Sequence, residues 1–433
     1  MTFLTTIAKD LILTLNGKRE ISFYFQTLKA SDSLLAIWYS MMNFIGIRAS
    51  ESNRNIFLKK VHSLFKYKEA FLFGSARSAL YSLLHSLDFD SQSEVILTGF
   101  TCDVVPNAVI QAGLKPIYVD IDPSNYCMSP LSLIESITKQ TKVVVIQHTY
   151  GIPADIDSLI EIAHKHSLYV IEDCAVSLGS RYNGKLTGRF GDAAIFSFEL
   201  SKTITSCRGG LLTINNNKME AIDKVENFYK KGVPEQNKSY RIKILLQLGI
   251  SGLLHHPRVL PLGKYFNALL FKLKLFSYST LPIETKAKRP ENYLLKLSPE
   301  QCAILSRQWD RLPETIAQSK SNMGYYLNRC EKMLNRDFVQ YIQKHDINFI
   351  RFPIRIPNRD KLVNTLNENR IELGLWFTAP ISSVSTNQKL FYYTSKQCEI
   401  SEDVSSSIIN LPVHPRIKHE DMDRILNGLK NNA

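Results

Sequence analysis

The middle of the chain alternates between short apolar runs and longer stretches with helical periodicity. Helical patterns such as 77–87 and 156–166 separate the apolar runs. This alternation is typical of a mostly parallel sheet with helices on both faces, so we predict an α/β fold. The apolar runs predict strands near residues 70–73, 94–98, 115–120, 142–147, 168–172, 193–198 and 209–214.

The pattern changes after Leu297, where a smaller C-terminal domain is predicted. A long helix should begin at Ser298-Pro299-Glu300 and continue to about Cys330. A strand over 349–356, a helix over 359–369 and a last helix from Glu420 follow. We therefore divide the chain into an N-terminal extension (1–60), a large domain (61–235), an insertion (236–290) and a C-terminal domain (291–433).

The insertion carries most of the chain's positive charge. Between Lys238 and Pro290 there are ten Lys or Arg residues and one acid, Glu284, which gives +9 of the net +13. A basic, amphipathic stretch of this kind is typical of a membrane-surface helix. Alternatively, the insertion is a helical pair that covers the core or a dimer partner. Nucleic acid is not expected, because no recognition-helix motif or aromatic-interleaved basic strand set is present.

The N-terminal extension holds a second apolar stretch, 34–47. It is too short to span a bilayer, which takes about twenty residues, so it should pack on the large domain or join the insertion. Lys9 and Asp10 interrupt the start of the chain, so no signal-peptide layout is expected. The seven cysteines lack CxxC spacing and no His/Cys cluster has zinc spacing. We expect a cytoplasmic protein with reduced thiols and no metal.

Three segments carry candidate chemistry. Lys202 follows an apolar run and precedes Arg208-Gly209-Gly210, and a lysine acts as a nucleophile only when its pKa is lowered or it is otherwise activated. Asp173 ends a predicted parallel strand, where ligands of α/β sheets bind, although it could instead cap a helix. Residues 71–80 read as a strand, a turn of small residues and a helix start, which suits a phosphate group or simple capping. A lysine and a carboxylate are what pyridoxal 5'-phosphate (PLP) requires for its Schiff base and ring nitrogen.

Five ordered segments together resemble the DegT/DnrJ/EryC1/StrS family of PLP-dependent sugar aminotransferases. The resemblance extends over about 60–235 and 290–430 and implies PLP-dependent transferase fold type I. That fold has a large domain, with a mostly parallel sheet flanked by helices, and a smaller C-terminal α+β domain. The segments are 95–122, 147–157, 171–179, 191–210 and 411–415.

The resemblance implies a role for each matching residue. Lys202 would form the Schiff base with PLP and move a proton between cofactor and substrate. Asp173 would pair with the ring nitrogen, and Ser197 would hydrogen-bond the phosphate. The phosphate cup would be completed by Ala76, Arg77 and Ser78.

Four positions depart from the family pattern. Cys102 stands where an aromatic residue usually stacks on the cofactor ring, and Val176 replaces a Gln or His near the ring hydroxyl. Arg77 replaces a threonine of the phosphate cup, and a guanidinium can bind phosphate through paired donors. Lys296 stands about where the family has an asparagine that reaches across a dimer, although a solvated lysine explains it equally well.

The implied enzyme is a homodimer. It would move an amino group from an amino acid, with glutamate as the expected donor, to the keto group of a sugar or sugar-like acceptor. The acceptor would be nucleotide-linked or lipid-linked, with peripheral membrane contact through 238–290. Trp376 and Phe377 would line the acceptor pocket or belong to the core, and ligand contact by His148 and His414 stays open. The alternatives are a non-catalytic, membrane-associated sensor or partner protein and a PLP lyase or decarboxylase.

Overall fold

The computed structural model describes residues 20–23, 26–215, 219–255, 260–382 and 386–430. The expectation about a signal peptide concerns the first residues, which lie outside these ranges. Within them, each helix is too short or too polar to cross a bilayer. All seven cysteines are unpaired thiols.

A seven-stranded sheet forms the centre of the large domain. Its spatial order is β1-β7-β6-β5-β4-β2-β3, and β7 alone runs against the direction of its neighbours. Each strand lies within a residue or two of its predicted position, so the predicted sheet is confirmed. The strands are β1 (Glu69–Phe73), β2 (Glu94–Thr98), β3 (Lys115–Val119), β4 (Thr141–Gln147), β5 (Tyr169–Asp173), β6 (Ala193–Ser197) and β7 (Gly210–Ile214).

Helices cover both faces of this sheet. On one face Phe196 packs against Phe65, with ring centroids 4.8 Å apart. On the other face Ile195 joins a cluster with Leu80 and Leu83. Neighbouring residues of β6 therefore face opposite layers, as the period-two geometry of a strand requires. The helices are α1 (Ala30–Phe44), α2 (Ser52–Phe65), α3 (Ala76–Ser86), α4 (Val104–Gln111), α5 (Pro130–Ser136), α6 (Ile156–Lys165) and α7 (Met219–Gly232).

The insertion contributes helices α8 (Lys238–Leu254) and α9 (Leu260–Lys272). Helix α8 packs along α1 so closely that a Cβ atom on Gly249 or Gly252 would overlap Ser33. Leu248 lies in one buried cluster with Ala36 of α1. The apolar stretch of the extension therefore joins the insertion, and α8 covers the core.

The C-terminal part pairs β8 (Arg351–Arg355) antiparallel to β9 (Ile408–Pro412). The prediction of a single long helix from Ser298 to Cys330 is wrong. The helix is interrupted at Arg311, and two helices take its place. Pro313 cannot donate a backbone hydrogen bond to the preceding turn, and its ring clashes with the carbonyl there. The domain boundaries remain predictions. The helices are α10 (Pro299–Asp310), α11 (Leu312–Cys330), α12 (Arg336–Lys344), α13 (Arg359–Glu368), α14 (Glu399–Ser407) and α15 (His419–Lys430).

Candidate active site

The candidate site lies at one edge of the central sheet. Strands β5 and β6 run parallel, so Asp173 and Ser197 at their carboxyl ends meet at this edge. Strand β7 runs in the opposite direction and begins here, with Gly210 opposite Ser197. The same register places the Arg208–Gly209 turn beside the start of α3. The start of β7 and the ends of β5 and β6 therefore lie side by side at this edge of the sheet.

A cavity of about 320 Å³ occupies this edge. Two residues predicted for the site, Ser78 and Lys296, do not line it. The Ser78 hydroxyl donates to the Ser75 carbonyl at 2.8 Å, and the Lys296 ammonium lies 3.8 Å from Glu235. Seven predicted residues do line it: Ala76, Arg77, Cys102, Asp173, Val176, Ser197 and Lys202.

The Lys202 amine is buried in this cavity. Burial lowers its pKa because an apolar environment disfavours the charged ammonium, and the Arg351 cation lowers it further. The Glu199 carboxylate acts in the opposite direction. The amine nitrogen lies 5.3 Å from the centre of the Trp376 ring. Burial and Arg351 together favour the neutral amine, which is the nucleophilic form.

Asp173 presents a buried carboxylate at the end of β5. Burial raises its pKa, while a hydrogen bond from the Ala175 backbone N–H (2.9 Å) and the charge on Lys202 lower it. The helix-cap alternative is wrong, since residues 174–180 form turns and no helix begins there. The carboxylate is therefore available to a cationic or N–H group in the cavity.

The first turn of α3 also lines the cavity. Ser75 caps this helix by accepting the Ser78 N–H at 3.2 Å. The N–H groups of Ala76 and Arg77 lack intrahelical partners, as at every helix start. A Cβ atom at Gly210 would overlap the Ser75 carbonyl and the Ala76 nitrogen, so β7 can approach this turn only with glycine. The result is an anion-binding end on the cavity.

Cys102 lies beside the cavity as a neutral thiol. Burial, with a smaller contribution from the Asp103 carboxylate, raises its pKa to about 12. Its sulfur donates to an Asp103 oxygen at 3.6 Å. It therefore supplies a small apolar surface in place of an aromatic ring, and it is not a nucleophile near neutral pH.

Sequence reasoning missed several lining residues. Arg351 begins β8 and is almost fully buried, with its guanidinium carbon 3.9 Å from the centre of the Trp376 ring. The only signal in the sequence was a charged residue inside an apolar strand pattern. Phe23 of the extension and Ser279 and Thr280 of the insertion also reach the cavity. No local sequence pattern in the extension or the insertion predicts that these residues line the cavity.

The histidines left open by the sequence do not line this cavity. His148 lies 3.1 Å from Glu172, and both are fully buried. The Glu172 carboxylate also accepts three backbone N–H groups of residues 188–191, at 2.6–2.7 Å. These two residues and Cys174 are close enough to hold a metal, but the backbone bonds show a structural role. His414 lies 3.2 Å from the Ser22 carbonyl.

Comparisons with known proteins agree with this geometry. The model of the DegT/DnrJ/EryC1/StrS aminotransferase family matches residues 48–256 and 271–430. A pleiotropic regulatory protein of Geobacillus stearothermophilus is 26% identical over 356 residues, 82% of each chain. A UDP-N-acetyl-3-dehydro-alpha-D-glucosamine 3-aminotransferase of Acidithiobacillus ferrooxidans is 25% identical over 81% of this chain and 80% of its own. The structure of Helicobacter pylori PseC, an aminotransferase of pseudoaminic acid biosynthesis, superposes with a TM-score of 0.73 at 19% identity, covering 95% of this chain and 99% of PseC.

Proposed function

The chain belongs to the DegT/DnrJ/EryC1/StrS aminotransferase family, and from this premise we propose that it transfers an amino group from glutamate to the keto group of a sugar. It is a PLP-dependent aminotransferase. The observation that carries the proposal is that the Lys202 amine, whose pKa is lowered by burial, lies in the same cavity as the buried Asp173 carboxylate. Membership of this family does not favour the sensor, lyase or decarboxylase alternatives.

The residues present fit PLP. The Asp173 carboxylate would hold the ring nitrogen, and Ser197 with the Ala76 and Arg77 N–H groups would hold the phosphate at the helix start. Cys102 and Val176 would lie beside the ring. When bound, the cofactor supplies the electron sink that makes the carbon next to the amino group acidic.

Lys202 is the residue we assign to proton transfer. Burial lowers its pKa and so favours the neutral amine, which would accept a proton from the substrate carbon and return it on the cofactor side. The same amine would hold the cofactor between turnovers.

The sugar acceptor is supported by the relatives and by the shape of the cavity. The Acidithiobacillus ferrooxidans relative is named for a nucleotide-linked keto sugar. In this chain, Trp376 and Phe377 line the cavity, and Arg351 adds a buried cation. Aromatic faces suit the apolar side of a sugar ring, and a guanidinium suits a phosphate or carboxylate. We therefore propose a nucleotide-linked keto sugar as the acceptor, rather than a lipid-linked one.

The test is a complete transamination. Purified protein with PLP, glutamate and a panel of nucleotide-linked keto sugars should release 2-oxoglutarate and an amino sugar in equal amounts. Lys202→Ala is the negative control. Carbon dioxide release in place of keto acid would identify a decarboxylase. Absence of turnover by any keto sugar would reject the sugar acceptor.

The finer assembly is also a proposal. We propose a homodimer located in the cytoplasm. The homodimer is supported by Lys296, which lies outside the cavity of its own chain and would approach the partner's phosphate site. Sedimentation should give a dimer at micromolar concentration, and Lys296→Gln should weaken PLP binding without altering this mass. A monomer that binds PLP with full affinity would overturn the assignment.

A peripheral contact with the inner membrane face is supported by exposed apolar stripes beside basic residues. Leu34, Trp38 and Met41 follow helical spacing along the outside of α1. Phe266 and Leu269 do the same on α9, and the exposed Leu273 follows directly after this helix, next to Lys272 and Lys274. A surface of this kind suits anionic lipid headgroups.

Vesicle flotation tests this contact. The protein should float with anionic vesicles and not with zwitterionic ones, and added salt should weaken the binding. The double variant Leu269→Ser and Leu273→Ser should lose binding, whereas Leu131→Ser, which changes an exposed leucine on α5, should retain it. Failure of the wild-type protein to float with anionic vesicles would remove the proposal.

A further inference from the structure

The segment Ser277–Glu284, here called the strap, lies across the phosphate end of the cavity. Ser279 and Thr280 line the cavity, while Ser277, Leu281 and Ile283 line a second cavity of about 600 Å³. Arg77 and Arg208 line both cavities. The strap and the two guanidinium groups therefore form the partition between the two spaces.

The strap contacts both guanidinium groups directly. The Arg77 Nε atom lies 2.7 Å from a Glu284 carboxylate oxygen, and its Nη2 atom donates to the Ser279 carbonyl at 2.6 Å. Arg208 donates to the Tyr278 carbonyl. The second Glu284 oxygen accepts the Leu281 N–H at 2.8 Å, which fixes the carboxylate within the strap. One edge of the Arg77 guanidinium is thus held by the strap.

The strap is itself anchored at both ends. The amide of Gln247 on α8 forms a reciprocal pair with the Ser277 backbone, at 3.0 and 3.1 Å. Beyond Glu284, Gln111 on α4 donates to the Ala287 carbonyl at 2.8 Å. Gln247 and Glu284 are both fully or almost fully buried. The strap therefore has a defined position rather than that of a solvated loop.

The geometry leaves the other side of Arg77 for an anion. A guanidinium presents five N–H donors in a rigid plane. The strap takes the Nε–Nη2 edge, while Nη1 forms no hydrogen bond within the described part of the chain. Burial raises the pKa of Glu284, but the adjacent Arg77 cation opposes that effect. A carboxylate on one edge and a phosphate on the other would share one guanidinium.

We propose that Glu284 is a positioning residue that orients Arg77 toward the cofactor phosphate, so that the insertion completes the PLP site. The proposal rests on the proposed function, since it assumes PLP in this cavity. It gives the replacement of the family's threonine by Arg77 a structural reason. The longer cation needs a partner to fix its direction, and the insertion supplies one.

The test compares PLP with pyridoxal, which lacks the phosphate. Glu284→Gln should weaken PLP binding by about tenfold and leave pyridoxal binding unchanged. A loss of this size is typical when a residue that orients a binding residue is removed, as at metal sites. Arg77→Gln should weaken PLP binding at least as much. The double variant should be no weaker than Arg77→Gln alone, because Glu284 acts through Arg77. Dissociation constants come from cofactor absorbance, with thermal unfolding recorded for each variant.

Glu291→Gln is the matched control, because Glu291 lines the second cavity without an ion pair to Arg77. It removes one nearby negative charge and should leave PLP binding unchanged. Equal or tighter PLP binding by Glu284→Gln would overturn the proposal, as would an equal loss with pyridoxal. Wild-type protein that binds no PLP would instead overturn the proposed function, so the two failures are distinct.

Discussion

The guanidinium of Arg351 stacks over the ring of Trp376, with its central carbon 3.9 Å from the ring centre. The Lys202 nitrogen lies 5.3 Å from the centre of the same ring. A buried cation and the amine thus share one aromatic ring, and the cation favours the neutral amine by charge repulsion. This relationship links strand β8 of the C-terminal part to the lysine of the large domain.

Removal of the Arg351 charge should raise the pKa of Lys202. In the Arg351→Gln variant, the reaction of the apoprotein with pyridoxal should require a higher pH, because less of the amine is neutral at a given pH. Arg351→Lys keeps the charge and should behave more like the wild-type protein. The pH profile of the reaction rate is the measurement. An unchanged profile in Arg351→Gln would show that the Arg351 charge does not influence the pKa of Lys202.

Glu199→Gln should shift the same profile in the opposite direction. The Glu199 carboxylate raises the pKa of Lys202, so its loss should allow reaction with pyridoxal at a lower pH. Glutamine preserves an acceptor for the Ser201 hydroxyl, which donates to Glu199 at 2.7 Å. A shift of the profile toward higher pH would contradict the conclusion that Glu199 raises the pKa of Lys202.

Asp173→Asn should lower transamination by about 10²-fold or more, the scale of losing one fixed electrostatic partner in an active site. The neutral amide cannot hold a positive charge on the ring nitrogen. A cofactor analogue with a methyl group on that nitrogen keeps its charge and should restore part of the activity. If the variant keeps wild-type rates with PLP, Asp173 does not contact the ring nitrogen.

Gly210→Ala should destabilise the large domain by about 1–3 kcal/mol and weaken PLP binding, because the added methyl overlaps the first turn of α3. Gly324 on α11 has open space at its Cβ position. Gly324→Ala should therefore be neutral or stabilising by up to about 1 kcal/mol. Chemical denaturation measures both free energies of unfolding. Equal effects at the two positions would argue against a tight β7–α3 contact.

The sheet and the centre of the site followed from local sequence. Buried parallel strands are apolar throughout and ligands bind beyond their carboxyl ends, so Asp173 could be placed near the site from its strand. Ser197 was placed by the family resemblance. The start of α3 was a weaker signal, because small residues between a strand and a helix suit simple capping as well as a phosphate group.

Long-range contacts could not be read from the sequence. Arg351 lies 149 positions beyond Lys202 along the chain, and its burial depends on the ring of Trp376. The strap looked like part of a basic surface segment, yet Glu284, its only acid, faces Arg77 inside the protein. The helix predicted from Ser298 ran through Pro313, although its apolar residues Cys302, Ile304 and Leu305 all lie before that proline. For Arg351 and the strap, tertiary packing rather than local preference decided the outcome, whereas the break before Pro313 is a local effect of proline.

The absorption spectrum of the purified protein with PLP, before and after glutamate, tests the central claim most directly. The account predicts a visible band from the cofactor bound at Lys202, a shift to shorter wavelength with glutamate, and no such band in Lys202→Ala. A visible band that does not respond to glutamate would reject glutamate as the donor. Well-folded protein that gives no visible band would contradict the assignment of this cavity to PLP.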